Sequence, residues 1–132
     1  MEKRPTVLLA DDDQVFLDLV RQLIEPEFDV VGTVEDGQAL LKAASDLHPD
    51  LLVTDISMPR LNGFQAARQL KKAHPNTRIL FLSVHEEPVA VTEALEIGVD
   101  GYVVKRSAAT DLIPALLQVF QGNRFLSEAV RQ

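Results

Sequence analysis

The chain has 132 residues, room for one ordinary domain, and its 46% apolar content excludes a disordered chain. Twenty acidic against 13 basic residues give a formal charge of −7, the wrong sign for gripping a phosphate backbone and the right one for holding cations. There is no cysteine, which excludes disulfide and thiolate chemistry, and no apolar run approaches the ~20 residues that cross a bilayer. Thr6 to Ala10 is also too short for a signal h-region, so a cytoplasmic protein without a membrane partner is expected.

Short apolar runs then alternate with helical stripes. Val7-Leu8-Leu9-Ala10 runs into three aspartates and is followed by Phe16, Leu19, Val20, Leu23 and Ile24 at spacings of three and four. Val30-Val31 precedes the stripe Ala39, Leu40, Ala43, Ala44 and Leu47, and Leu51-Leu52-Val53 precedes Phe64, Ala67 and Leu70. Ile79-Leu80-Phe81-Leu82 leads to Val91, Ala94 and Leu95, and Tyr102-Val103-Val104 leads to Leu112, Ala115, Leu116, Val119 and Phe120. Runs that do not alternate read as strands buried on both faces, and the stripes read as amphipathic helices. Pro88 suits a first helical turn, while Gly98 and Gly122 suit positions just past helix ends.

Five β-then-α units predict an α/β fold, an open, doubly wound, five-stranded parallel sheet covered by five helices. A closed eight-unit barrel needs roughly 250 residues. Residues 1–121 are expected to form the domain, and 122–132 a C-terminal tail or the start of a linker.

In such a sheet, sites form at the carboxyl ends of the strands. The first strand runs into Asp11, Asp12 and Asp13, and the third into Asp55; Ser83 ends the fourth and Lys105 follows the fifth. Aspartates after strands often serve as helix N-caps, and at least one of Asp11 to Asp13 must cap the helix that starts near Gln14. Asp55 on a neighbouring strand end adds a second reading, because ionised carboxylates sharing a cleft repel and a divalent cation relieves them. Mg²⁺ suits one or two carboxylates, waters and phosphate oxygens; the acidic loop of an EF-hand is missing, and His85-Glu86 lacks the second histidine of a zinc motif. Lys105 could pair with Asp55 or with a phosphoryl oxygen, and Ser83 could donate to the same group.

Together the segments VLLADDD (7–13), LLVTDISMPRLNG (51–63), ILFLSVHE (79–86) and DGYVVKRS (100–107) resemble the receiver domain of bacterial two-component response regulators over about residues 6 to 121. The resemblance implies a flavodoxin-like sheet of strand order 2-1-3-4-5 and makes Asp55 the phosphoacceptor for a sensor histidine kinase or phosphotransfer protein. It implies Mg²⁺ held by Asp12 directly, Asp11 through water, Asp55, and the Ser57 main-chain carbonyl. Ser83 matches the switch hydroxyl, Lys105 the phosphoryl-contacting lysine, and Tyr102 the rotating aromatic, which repacks inward on phosphorylation. Such a protein is a self-catalysed switch rather than an enzyme. HPDLLVTDISMP and the tail GNRFLSEAV look most like regulators with a C-terminal helix-turn-helix output domain. DNA contact is then expected only through that domain, with homodimerisation by helices one and five or four and five. The apolar residues of those helices are all accounted for by core packing.

Three departures stand out. Asp13 adds charge near the metal, Val84 after Ser83 is expected to narrow access to Asp55, and Arg106 replaces the frequent proline after the lysine. The resemblance would make the Lys105-Arg106 bond cis, at a cost of ~2.5–4 kcal/mol. Alternative readings are a phosphorylation-independent interaction domain of the same fold, a stand-alone phosphorelay protein, or a phosphoaspartyl hydrolase, whose second Asp is replaced here by Ser57.

Overall fold

The computed structural model of the chain describes residues 4–131. In chain order these form β1 (Thr6–Ala10), α1 (Gln14–Ile24), β2 (Asp29–Val34), α2 (Gly37–Leu47), β3 (Leu51–Thr54) and α3 (Gly63–Ala73). Then come β4 (Arg78–Ser83), α4 (Pro88–Ile97), β5 (Gly101–Val104), α5 (Ala108–Phe120) and β6 (Phe125–Leu126). The strands make one parallel sheet in the order β2-β1-β3-β4-β5-β6.

Alternate residues of each central strand enter opposite cores, which is why those strands read as unbroken apolar runs. Leu8, Leu52, Ile79, Phe81 and Tyr102 pack under α2, α3 and α4 with Leu40, Leu70 and Val91. Leu9, Val53, Leu80, Leu82 and Val103 pack under α1 and α5 with Leu17, Ile24, Leu112 and Leu116. Local chemistry starts and stops the helices. Asp13 caps α1 by accepting from the Phe16 N–H, Asp36 caps α2 through the Ala39 N–H, and Asn62 and Gln65 close a capping box on α3. Pro88 opens α4, and Gly98 ends it in the left-handed region at φ 91°.

The structure departs from the sequence reading at several places. A sixth strand extends the sheet: Phe125 and Leu126 pair with Gly101 and Tyr102 along the free edge of β5. Val130, beyond it, is buried in the core on the α4 side. β2 is an edge strand and is not buried on both faces; its residues are half-buried or exposed. Nor does core packing account for every apolar residue of α1 and α5, since Val15, Leu19, Leu117 and Phe120 are all exposed. Finally, every peptide bond among the described residues is trans, Lys105-Arg106 included.

Candidate phosphoryl-acceptor site

The site begins with main-chain pairing carried one residue beyond the strands. The Asp11 N–H donates to the Val34 carbonyl (3.1 Å) and the Asp55 N–H to the Ala10 carbonyl (2.9 Å), which sets the two aspartates side by side past β1 and β3. The loop after β3 folds back tightly, with the Gly63 N–H donating to the Ile56 carbonyl at 2.7 Å. A side chain at Gly63 would put its Cβ 2.3 Å from the Asp55 carbonyl oxygen, so this approach requires glycine.

Asp11, Asp12 and Asp55 each bring a carboxylate oxygen to within 4.8 Å of the others. Asp11 and Asp55 are buried, whereas Asp12 is exposed and forms the solvent side of the cluster. Lys105 enters from a 3-10 turn, Lys105–Ser107, directly after β5. Its Nζ lies 2.7 Å from Asp11 Oδ2 and 3.1 Å from Asp55 Oδ2, and 4.5 Å from the centre of the Phe16 ring that walls it. One cation thus faces two buried anions. Burial holds the Asp11 carboxyl above the usual range, against the opposing pull of the Lys105 hydrogen bond and the Asp13 N–H. Burial pulls Lys105 down, but its bond to Asp11 and the charge of Asp55 outweigh this, so its pKa lies above that of a free lysine.

This donor set fits Mg²⁺. It offers hard carboxylate oxygens, one of them at the solvent edge where a cation could keep some of its waters, and an ammonium already bridges two of the three acids.

Ser83 and Tyr102 lie on the neighbouring strands. Ser83 is fully buried, and its Oγ accepts from the His85 N–H at 3.0 Å. Tyr102 is fully buried as well. Its ring packs edge-on against Phe81, and its hydroxyl donates to the His85 carbonyl at 2.7 Å. Burial raises the Tyr102 pKa. The ring of Tyr102 therefore lies inward.

Each departure from the family pattern now has a place. Asp13 is the α1 N-cap and lies outside the carboxylate cluster. Val84 is 64% exposed and packs in neither core, so its side chain stands largely in solvent. Arg106 forms a two-pronged pair with Glu86, 2.8 and 2.7 Å, tying the turn after β5 to the loop after β4. Sequence reasoning missed His85 as a member of the site. Its ring sits between Ser57 Oγ (3.0 Å from Nε2) and Glu87 Oε1 (2.8 Å from Nδ1). The position two residues past Ser83 was the available signal, but a loop partner 28 residues away is not written in it.

A parallel sheet with carboxylates, a lysine and a hydroxyl gathered at adjacent strand ends defines a metal-dependent phosphoacceptor switch. The chain matches the response regulator receiver domain over residues 7–117 and belongs to that family. It is 35% identical over 131 residues to the transcriptional regulatory protein DegU of Brevibacillus brevis, covering 98% of this chain and 56% of that protein. It is 37% identical over 127 residues to the nitrate/nitrite response regulator protein NarL of Escherichia coli strain K12, covering 95% and 59%. The chain thus spans a little over half the length of these relatives. Among solved structures it superposes on the isolated REC domain of RcsB from Salmonella enterica serovar Typhimurium, determined in the presence of the phosphomimetic BeF3-. There the TM-score is 0.90 and the identity 31%, over 97% of this chain and 96% of that one. Its carboxylates form the acidic cluster of a receiver Mg²⁺ site, and no helix among the described residues is long and apolar enough to cross a membrane.

Proposed function

We propose that Asp55 is the phosphoacceptor, and that it takes its phosphoryl group from a phosphohistidine on a sensor histidine kinase or phosphotransfer protein. The observation that carries this is the placement of the Asp55 carboxylate between two further carboxylates and the Lys105 ammonium at one strand-end edge. An Asp55 oxygen attacks phosphorus, the phosphorus–nitrogen bond breaks, and its electron pair returns to the imidazole of the donor. Lys105, already 3.1 Å from Asp55 Oδ2, stabilises charge on the transferring oxygens. Asp11, Asp12, Asp55 and the Ser57 carbonyl would hold Mg²⁺, which when bound neutralises phosphoryl charge.

Ser83 donates its hydroxyl proton to the phosphoryl group, and Tyr102 in its inward position fixes the loop after β4. The altered surface of α4, β5 and α5 then changes partner preference. Exposed Val15 and Leu19 on α1, with Leu117 and Phe120 on α5, favour homodimer contact through those helices over core packing as their role. Residues 1–121 act as the receiver, with Phe125 and Leu126 extending its sheet, and 122–132 lead toward an output domain that binds DNA and controls transcription, a reading supported by the likeness to DegU and NarL; a cytoplasmic location is part of the same reading.

Incubating the full chain with Mg²⁺ and acetyl phosphate should add one phosphate by intact mass, and Asp55→Asn should add none. Equal uptake by the Asn variant would remove Asp55 from the reaction.

A further inference from the structure

Two of the chain's three histidines stand side by side at the end of the sheet away from Asp55. The carboxylate cluster lies past the carboxyl ends of parallel strands, whereas His48 follows α2 and His74 follows α3, where the chain turns back toward the start of β3 and of β4. Their imidazole rings are 5.7 Å apart, centre to centre, with the planes at 73°. His74 Nε2 also lies 3.4 Å from Ser45 Oγ in the last turn of α2. Ser45 is three residues before His48, so both sit on one face of that helix end.

We propose that His48 and His74 form a second metal site, taking a divalent late transition metal such as Zn²⁺ with water in its remaining positions. Zinc stands ~2.0–2.1 Å from an imidazole nitrogen on its lone-pair axis, hence roughly 3.2 Å from the ring centre. Two rings held at the tetrahedral angle then have centres about 5.2 Å apart, about half an ångström closer than the 5.7 Å found here. The His48 ring is exposed and turns about its own side-chain bonds to make up that difference.

The surroundings suit the task. The two main chains are fixed: the His48 N–H donates to the Ala44 carbonyl at 3.0 Å and the His74 N–H to the Leu70 carbonyl at 2.7 Å. The Thr77 hydroxyl donates to the Pro49 carbonyl at 3.3 Å and ties the two loops together, so bringing the imidazoles together needs little further ordering. With Nε2–H of His74 directed at Ser45 Oγ, Nδ1 keeps the lone pair for the metal, and a ligating histidine is ordinarily held through its other nitrogen in this way. Imidazole is the natural zinc ligand in a chain without cysteine, and the third histidine, His85, is engaged by Ser57 and Glu87. The hard carboxylates around Asp55 suit Mg²⁺, so the two poles of the sheet divide two kinds of cation between them.

The test is calorimetric titration of Zn²⁺ into the full chain in millimolar Mg²⁺, which fills the carboxylate cluster, with the histidine ¹⁵N signals recorded alongside. One equivalent should bind, moving the ring signals of His48 and His74 and leaving those of His85 in place. Binding should weaken in acid, since imidazole takes a metal only when neutral. His48 has a left-handed backbone, φ 46°, which asparagine tolerates, so His48→Asn removes the ligand and keeps the turn. His74→Phe keeps an aromatic edge against His48, which separates ligation from simple ring packing. Each variant should lose about tenfold or more in zinc affinity, and phosphate uptake from acetyl phosphate should match wild type in both. Should one variant fail to fold, the other removes a ligand from the opposite helix. No zinc uptake at millimolar concentration, a smaller loss of affinity in every folded variant, or uptake that moves His85 while His48 and His74 stay still overturns the site.

Discussion

Replacing Lys105 by Met keeps an apolar stem over Phe16 and removes the one cation between two buried acids. Lys105 Nζ is 2.7 Å from Asp11 Oδ2 and 3.1 Å from Asp55 Oδ2, with only 16% of its side chain exposed. At an effective dielectric constant of ~20, each contact is worth roughly 5–6 kcal/mol of gross attraction. Desolvation offsets much of that. What a deletion leaves behind is an uncompensated buried charge, which typically costs about 3–5 kcal/mol. Asp11 relieves part of the strain by taking a proton, since burial already holds its carboxyl above the usual range. The lower end, about 3 kcal/mol, is therefore the expected loss, a large share of a typical ~5–15 kcal/mol total. Urea unfolding of Lys105→Met and wild type at neutral pH in EDTA measures it. Repeating the comparison in millimolar Mg²⁺ should shrink the difference, because the metal takes over the role of the ammonium. Equal stability in EDTA, or a loss that Mg²⁺ leaves untouched, would refute the electrostatic account of the cluster.

Other consequences are as direct. Because the folded-state pKa of Asp11 is raised, its contribution to stability is fully present below about pH 3.8 and is lost as pH rises through the folded value. Asp11→Asn should accordingly be more stable than wild type at pH 7 in EDTA, with the gap closing below about pH 4 in a pH series of urea melts. Gly63→Ala drives a Cβ onto the Asp55 carbonyl oxygen and the Ile56 Cα, so a loss of about 1–3 kcal/mol or more is expected together with slower uptake from acetyl phosphate. Ser127 donates to Asp111 Oδ2 at 2.7 Å and accepts from the Val104 N–H at 3.2 Å. Ser127→Ala leaves that buried N–H without its partner and should cost about 1–3 kcal/mol by chemical denaturation, with phosphate uptake retained.

Most of the architecture was legible because parallel strands buried on both faces write themselves as unbroken apolar runs, and Leu51-Leu52-Val53 and Ile79-Leu80-Phe81-Leu82 are such runs. The position of Asp55 followed from the strand it ends. β2 was harder: an edge strand needs little apolar surface, and Val30-Val31 marks only part of it. β6 was not read because two residues carry no periodicity; its evidence is tertiary, in the pairing with Gly101 and Tyr102 and the burial of Ser127 and Val130. Asp13 looked like added charge at the metal site, and Arg106 like a missing proline, until their partners, the Phe16 N–H and Glu86, were visible. The His85 bridge lay beyond sequence reasoning altogether, because a lone histidine in a loop does not announce a serine 28 positions earlier.

The central claim is that Asp55, among 20 acidic residues, carries the phosphoryl group. Borohydride reduction cleaves an acyl phosphate and converts its aspartate to homoserine, so peptide mapping after donor treatment in Mg²⁺ reads the site directly. The account predicts homoserine at position 55 alone, in a peptide absent without donor or Mg²⁺. Homoserine at Asp11 or Asp12 instead, with residue 55 still aspartate, would contradict it.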